Sequence, residues 1–553
     1  MIMNKNFRNG LLMLAAGAFV VSCADYNETN NFYAEPDPTV VAPYTDLNTV
    51  KSYIDREKYP NLTLGAQLKV DDFNKHELAH AAAVSNFDNY AFGTTLMSGN
   101  IVNDKGVMNF LAMKELLDHV EEIGGEVFGS PLFANANQAD GWLKTLTAPI
   151  EISVDFVEGK KVDFNDYKDG DTYNEGTIAK FDGLNCLKIA SNKKVRIISD
   201  FDVDPLATYT TTFWAQVEKE QSFNVNFSGA DVPGTGADGK WTLKPGKWQK
   251  IVVESKSSED ATEGFLRIDN LRGAAIYIRN VEVGYYPDNH RPQTPEELSD
   301  TINYAINAWC DGVMKINEGR VKLFDLIDEA IDVKSADIVA GIYDLKHSTD
   351  DKIFWQDFVG SENYATVVGQ AAIEKFAEYG GEQSDLKLFI SETGLEDQKT
   401  FNSLKYWIKV WEDNGATIDG INAKVTLSYS EDATIQAANK AAINTLLDNL
   451  AAFAKEKDLL IRLSNFDIKY LNAEGSNVSA DNITTEQRQT LANYYAEVIK
   501  AYMEKIPNEN QAGICKGNMV DTNDPVGLWA KNAKKDWVRT ATYKAFCDAL
   551  SGK

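Results

Sequence analysis

Histidine is scarce in this chain, with five residues in 553, and cysteine is as rare. Cys186, Cys310, Cys515 and Cys547 stand singly, with no CxxC and no metal-ligand spacing. Zinc ribbons and paired redox thiols are therefore absent from the expectations. A Cys515–Cys547 disulfide fits the spacing, but sequence does not fix connectivity, and buried free thiols are the simpler reading. Basic charge is also short: 55 Lys and Arg stand against 82 Asp and Glu, a net −27. Nucleic acid is thereby excluded as a partner, because phosphate binding needs the opposite field. The clearest apolar run near the N-terminus, Leu11–Val21, is too short to span a bilayer.

That short run is informative for another reason. Lys5 and Arg8 precede it, and Ser22 and Cys23 follow. A charged n-region, a brief h-region and a Cys directly after Val20-Val21-Ser22 read as a lipoprotein signal over 1–23, with the lipid on Cys23. Residues 24–44, polar and carrying proline, read as a tether. The Asn and acidic residues after the Cys are similar to those of Bacteroidetes surface lipoproteins. They imply an outer-membrane anchor facing the cell exterior.

The remainder is long enough, at 44 % hydrophobic, for two domains. Over 45–147 apolar runs at Leu62–Leu68, Tyr90–Leu96 and Gly125–Phe133 alternate with helical patterns at Asp71–Ser85 and Asn109–Ile123. The rhythm changes at Ala148. Up to residue 287 short alternating strands follow one another between Gly, Asp and Asn turns, the pattern of a β-sandwich. From 288 to 553 the strand–helix rhythm returns, with strands at Val321–Ile327, Leu386–Ile390, Ile418–Leu427, Leu459–Leu463 and Gly513–Lys516. Three strands before the insert and five after it make eight, the count of a (β/α)₈ barrel interrupted after its third strand.

The run Val321–Ile331, VKLFDLIDEAI, ends in two carboxylates, Asp328 and Glu329. Acids at the end of a buried barrel strand stand where such enzymes keep their chemistry. This stretch resembles the strand-four motif WDVVNEA of glycoside hydrolase family 10, the xylanases, and Glu329 matches that motif's general acid/base. The resemblance implies a TIM barrel, a β-1,4-xylan-type polysaccharide as partner, and no metal or cofactor. It also implies a nucleophile on strand seven. There LIRLSNFDI, Leu460–Ile468, aligns with IRITELDI and puts Asn465 at the nucleophile Glu. An amide cannot form the glycosyl ester, so the mechanism is in question.

Other motif positions depart as well. TPENEMK falls on Ala91–Met97, RGHTLVWH on Phe128–Asn135, and NDYN on Ser391-Glu392-Thr393-Gly394. GIGLQSH reads GINAKVT, with Lys424 and Thr426 where Gln and His stand, and the strand-eight Trp-Gly is Lys516-Gly517. Glu392 is the acid that could substitute for the missing carboxylate, in a wider, inverting arrangement. The expectation is a surface polysaccharide-binding lipoprotein on a degenerate barrel, beside proteins that import glycans across the outer membrane. An active endo-1,4-β-xylanase-like hydrolase is the alternative.

Gly264–Tyr285 and PGKW at Pro245–Trp248 resemble jelly-roll carbohydrate-binding modules. Trp214 and Trp241 are the candidate sugar platforms there, Trp241 being expected at the surface from its Gly-rich surroundings. Trp142, Trp355 and Trp529, with Asp328, are candidates to line the barrel cleft. His76–His80 reads HELAH, a literal HExxH. With Ala83 and Asn86 where a third ligand would follow, it reads as a chance occurrence on the barrel's first helix.

Overall fold

A computed structural model describes residues 44–552; Cys23, the signal segment and the tether up to residue 43 lie outside the described residues. The chain divides into two compact units, one of Thr147 and earlier residues with Pro295–Lys553, the other Ala148–Thr294.

The first unit is a closed barrel of parallel strands. In chain order they are β1 (Leu64–Leu68), β2 (Asn89–Phe92), β3 (Glu126–Gly129), β4 (Leu323–Asp328), β5 (Lys387–Thr393), β6 (Gly420–Ser430), β7 (Leu460–Leu471) and β8 (Gln511–Lys516). Each pairs with the next, and β8 pairs with β1, with all registers parallel. Strands covered on both faces read as apolar runs, which is why they were visible in sequence. Helices alternate with them: α1 (Leu78–Asn86), α2 (Leu111–Glu122), α3 (Pro295–Asn317), α4 (Tyr364–Glu378), α5 (Gln398–Asp413), α6 (Ala433–Lys457), α7 (Thr485–Lys505) and α8 (Ala541–Leu550). In α2, Met113, Leu116, Leu117 and Val120 are buried, the spacing of one helical face. A capping box of Thr484 and Gln487 starts α7, and Asp432 accepts from Thr434 N and Ile435 N to start α6.

The structure departs from the expected pattern in two places. The helix expected over Asp71–Ser85 is broken: a short helix, Val70–Asn74, ends before α1, and His76 between them has φ +56°. The lower barrel also holds large side chains beside glycines. A Cβ on Gly65 would lie 2.5 Å from Asn89 Oδ1 and 3.0 Å from an Arg462 nitrogen. One on Gly129 would lie 2.2 Å from the Phe324 ring. Gly65 thus leaves room for Arg462 inside the barrel, and Gly129 for Phe324 in the layer under α2 and α3.

The second unit is a β-sandwich. Strands within Val157–Tyr286 form a five-stranded and a seven-stranded sheet, whose antiparallel central pairs include Thr208–Val217 with Ile276–Tyr286 and Gln221–Phe227 with Gly264–Asn270. Phe213, Ile278, Phe223 and Ile268 share its core. The unit begins and ends in one two-stranded neck, where Ile150 faces Arg291 and Glu151 faces His290.

All four described cysteines are free and buried, so the Cys515–Cys547 bridge does not form. The Cys547 thiol is wrapped in apolar packing and burial pushes it up to about 12, whereas Cys515 is buried beside Arg462 in the barrel.

Candidate functional site

A cleft of about 870 Å³ opens at the C-terminal ends of the strands, lined among others by Asp328, Glu329, Lys424, Arg462, Asn465 and Asn518. Two β-bulges shape it. Opposite β5, β4 carries one extra residue between Asp325 and Ile327. This lets Asp325 and Asp328, three apart, both reach the cleft. Opposite β6, β7 carries an extra residue between Ser464 and Asp467, where Asn465 sits. Glu329 and Asn465 both have φ +52°, a left-handed backbone that side-chain-bearing residues seldom adopt.

Lys424 on β6 lies between the strand-four acids. Its Nζ is 2.5 Å from Asp328 Oδ1 and 3.1 Å from Glu329 Oε1. Burial opposes the ammonium's charge, but Asp328 and Glu329 outweigh it and hold Lys424 above the ordinary lysine value. Burial pushes the Asp328 carboxyl up, and the ammonium offsets only part of that. The Glu329 carbonyl accepts from Lys346 Nζ, and its N–H donates to Ser391 O at 2.9 Å. Beneath them, Asn422 Nδ2 donates to both oxygens of Asp325, at 3.1 and 2.9 Å. Burial, with help from Asp328, raises Asp325 to about 7.

The strand-seven side is an amide. Asn465 is exposed in the cleft, and Asp467 beyond it pairs with Lys516 Nζ and accepts from Asn518 Nδ2 at 2.6 Å. Deeper still, the Arg462 guanidinium lies 4.0 Å from the Phe128 ring centroid, and its two terminal nitrogens reach Asn89 Oδ1 at 3.4 Å. Glu392 is buried, its oxygens accepting from Ile331 N at 3.1 Å and Thr393 N at 3.0 Å. Burial raises it to about 7. It is held by backbone as a structural acid.

The tryptophan expectations need correcting. Trp142, Trp355 and Trp529 are 5 %, 1 % and 5 % exposed and pack in the barrel core. Trp241 is 9 % exposed, because pairing of Phe223 with Trp241 turns its ring into the sandwich core. Trp214 alone of these is half-buried on an outer face. There the Arg279 guanidinium sits 5.7 Å from its ring and 4.7 Å from that of Trp248, and Phe181 stacks on Tyr277 at 3.9 Å. The sequence expectations did not include Asp325 and Arg462. Each was a charged residue inside an apolar strand, which is the signal that marks a polar barrel interior.

Residues 288–544 match the family model described as Glycosyl hydrolase family 10. The match starts at the neck and spans β4–β8; β1–β3 come from before the insert. Among solved structures, the chain is similar to an endo-1,4-beta-xylanase, XylE, of Penicillium canescens (11 % identity, 92 % of this chain and 98 % of that one, TM-score 0.50). It is also similar to xylanase B of Clostridium stercorarium F9 (11 %, 91 % and 100 %, 0.51). A third is xylanase10C of Cellvibrio japonicus (12 %, 93 % and 75 %, 0.53). At such identity the likeness is one of fold. No curated protein sequence matches the chain.

Proposed function

We propose that this chain is a cell-surface lipoprotein that captures xylan or a related plant β-glycan on a xylanase-like barrel without hydrolysing it. One observation carries the reading: the acid at the end of β4 is tied to Lys424, and the strand facing it across the cleft offers Asn465 in place of a carboxylate. Retaining hydrolysis needs two carboxyl groups about 5–5.5 Å apart, one of them forming an ester to the sugar. An amide does not form that ester, and an oxygen occupied by an ammonium is poorly placed to serve the glycosidic oxygen. The acids on the neighbouring strands are engaged, Asp325 by Asn422, Asp467 by Lys516 and Glu392 by backbone N–H groups. What is left suits binding: a wide polar cleft with donors and acceptors for sugar hydroxyls. The Trp214–Arg279–Trp248 face of the sandwich is a second surface for a pyranose ring. The Leu11–Cys23 segment supports a lipid anchor in the outer membrane, and glycan-import proteins are the partners it would serve.

A second reading, an active endo-1,4-β-xylanase-like hydrolase, is favoured by Glu329 standing in the cleft. Protein lacking residues 1–23, incubated with insoluble xylans and other β-glycans, separates the two. Pull-down with no release of reducing ends, unchanged in Glu329→Gln, is the expected result. Release abolished by that substitution would establish the hydrolase instead.

A further inference from the structure

Three of the chain's five histidines meet at one place. His76 lies in the turn before α1, His80 on α1 and His119 on α2. One ligating nitrogen from each lies within 4.8 Å of the others, and the Nε2 atoms of His80 and His119 are 2.8 Å apart. We infer that His76, His80 and His119 form a binding site for a divalent transition-metal ion of the zinc class.

The donor set selects the ion. Imidazole nitrogens suit zinc, cobalt, nickel and copper, whereas magnesium and calcium take oxygen ligands. Tetrahedral zinc, with Zn–N near 2.0–2.1 Å, sets its ligand nitrogens about 3.3 Å apart. The ion would therefore part His80 and His119 by roughly half an ångström and replace one N–H···N bond with three bonds to metal. A hydrogen-bonded histidine pair would account for those two rings but not for His76. That residue is exposed, yet its ring centroid lies 4.0 Å from that of His119 and 5.0 Å from that of His80. Its left-handed backbone, φ +56°, is an uncommon conformation for a residue with a side chain. His76 leaves the outer side open, where water completes the coordination.

The ligand set is not that of a helix-borne HExxH. Glu77 is the N-cap of α1, so His76 precedes the helix and does not share a helical face with His80. The third ligand comes from a later helix, beyond the reach of any local spacing rule. The ion would act as a pin. Phe73 of the Val70–Asn74 helix packs on the rings of His80 and His119, at 4.8 and 5.3 Å, and Asp71, Asp72 and Lys75 from the same segment line the cleft. Binding would fasten that wall of the cleft to α1 and α2.

The test uses purified protein stripped with a chelator and then titrated with zinc by calorimetry and with cobalt(II) by visible absorption. One ion per chain is expected, with the cobalt spectrum of a four-coordinate site and a raised Tm. In His76→Ala, an exposed position that leaves folding intact, affinity should fall more than about tenfold, the loss caused even by removing an outer hydrogen-bond partner of a metal ligand. His119→Gln should do the same, with circular dichroism checking that it folds. No saturable binding, or binding unchanged in His76→Ala, would overturn the inference and assign any bound ion to the acidic surface.

Discussion

Lys424 balances two carboxylates with one charge, and the partner that depends on it most is Asp328, 2 % exposed. Lys424→Met should leave that acid buried without a counter-ion, a loss of about 3–5 kcal/mol when a buried pair is broken one-sidedly. The urea midpoint reports it, and adding Asp328→Asn to the same chain should recover part of the loss. A midpoint unchanged in Lys424→Met would mean that the pair contributes nothing. Asp325 gives a pH signature. Its folded carboxyl titrates at about 7, against about 4 in an unfolded chain. The fold binds that proton more tightly, so the stabilisation is whole below about pH 4 and is lost as pH rises through about 7. Denaturation midpoints should fall from pH 5 to pH 8, and Asp325→Asn should flatten the fall; Glu392, raised to about 7, acts in the same direction. At this scale the sequence was legible at Glu329, where an apolar run stops at acids. It was not legible at Lys424, because what matters there is a partner on another strand.

Among the elements, all eight strands were visible, since burial on both faces leaves continuous apolar runs. Their ends were not. β7 continues to Leu471 because the bulge at Asn465 re-aims the strand and lets polar residues alternate beyond it. Trp241 shows the converse error. Its glycine-rich neighbourhood reads as loop, yet the three-residue strand Trp241–Leu243 pairs with Gln221–Phe227 and carries the ring inward. The break at His76 falls in Asn74-Lys75-His76-Glu77, a polar run that interrupts the apolar spacing after Phe73.

The whole molecule is two cores joined through the neck. The sandwich core, with Phe213, Phe223, Ile268 and Ile278 all 0 % exposed, draws its buried residues from its own unit. Residues 148–294 expressed alone should therefore be folded, with dispersed amide signals by NMR and a cooperative thermal transition. A collapsed, uncooperative product would show that the sandwich needs the barrel to fold.

The antiparallel neck has a kinetic consequence. β3 and β4 are neighbours in the barrel but are separated by the whole sandwich in sequence. Were the insert unfolded, bringing those strands together would mean closing a loop roughly fourfold longer than the same connection with the insert left out, an entropic cost of about 1 kcal/mol. Once Ile150–Glu151 has zipped to His290–Arg291, the barrel meets only a short loop. During synthesis the N-terminal three strands emerge first, and barrel closure waits for the sandwich and then for β4–β8 to follow.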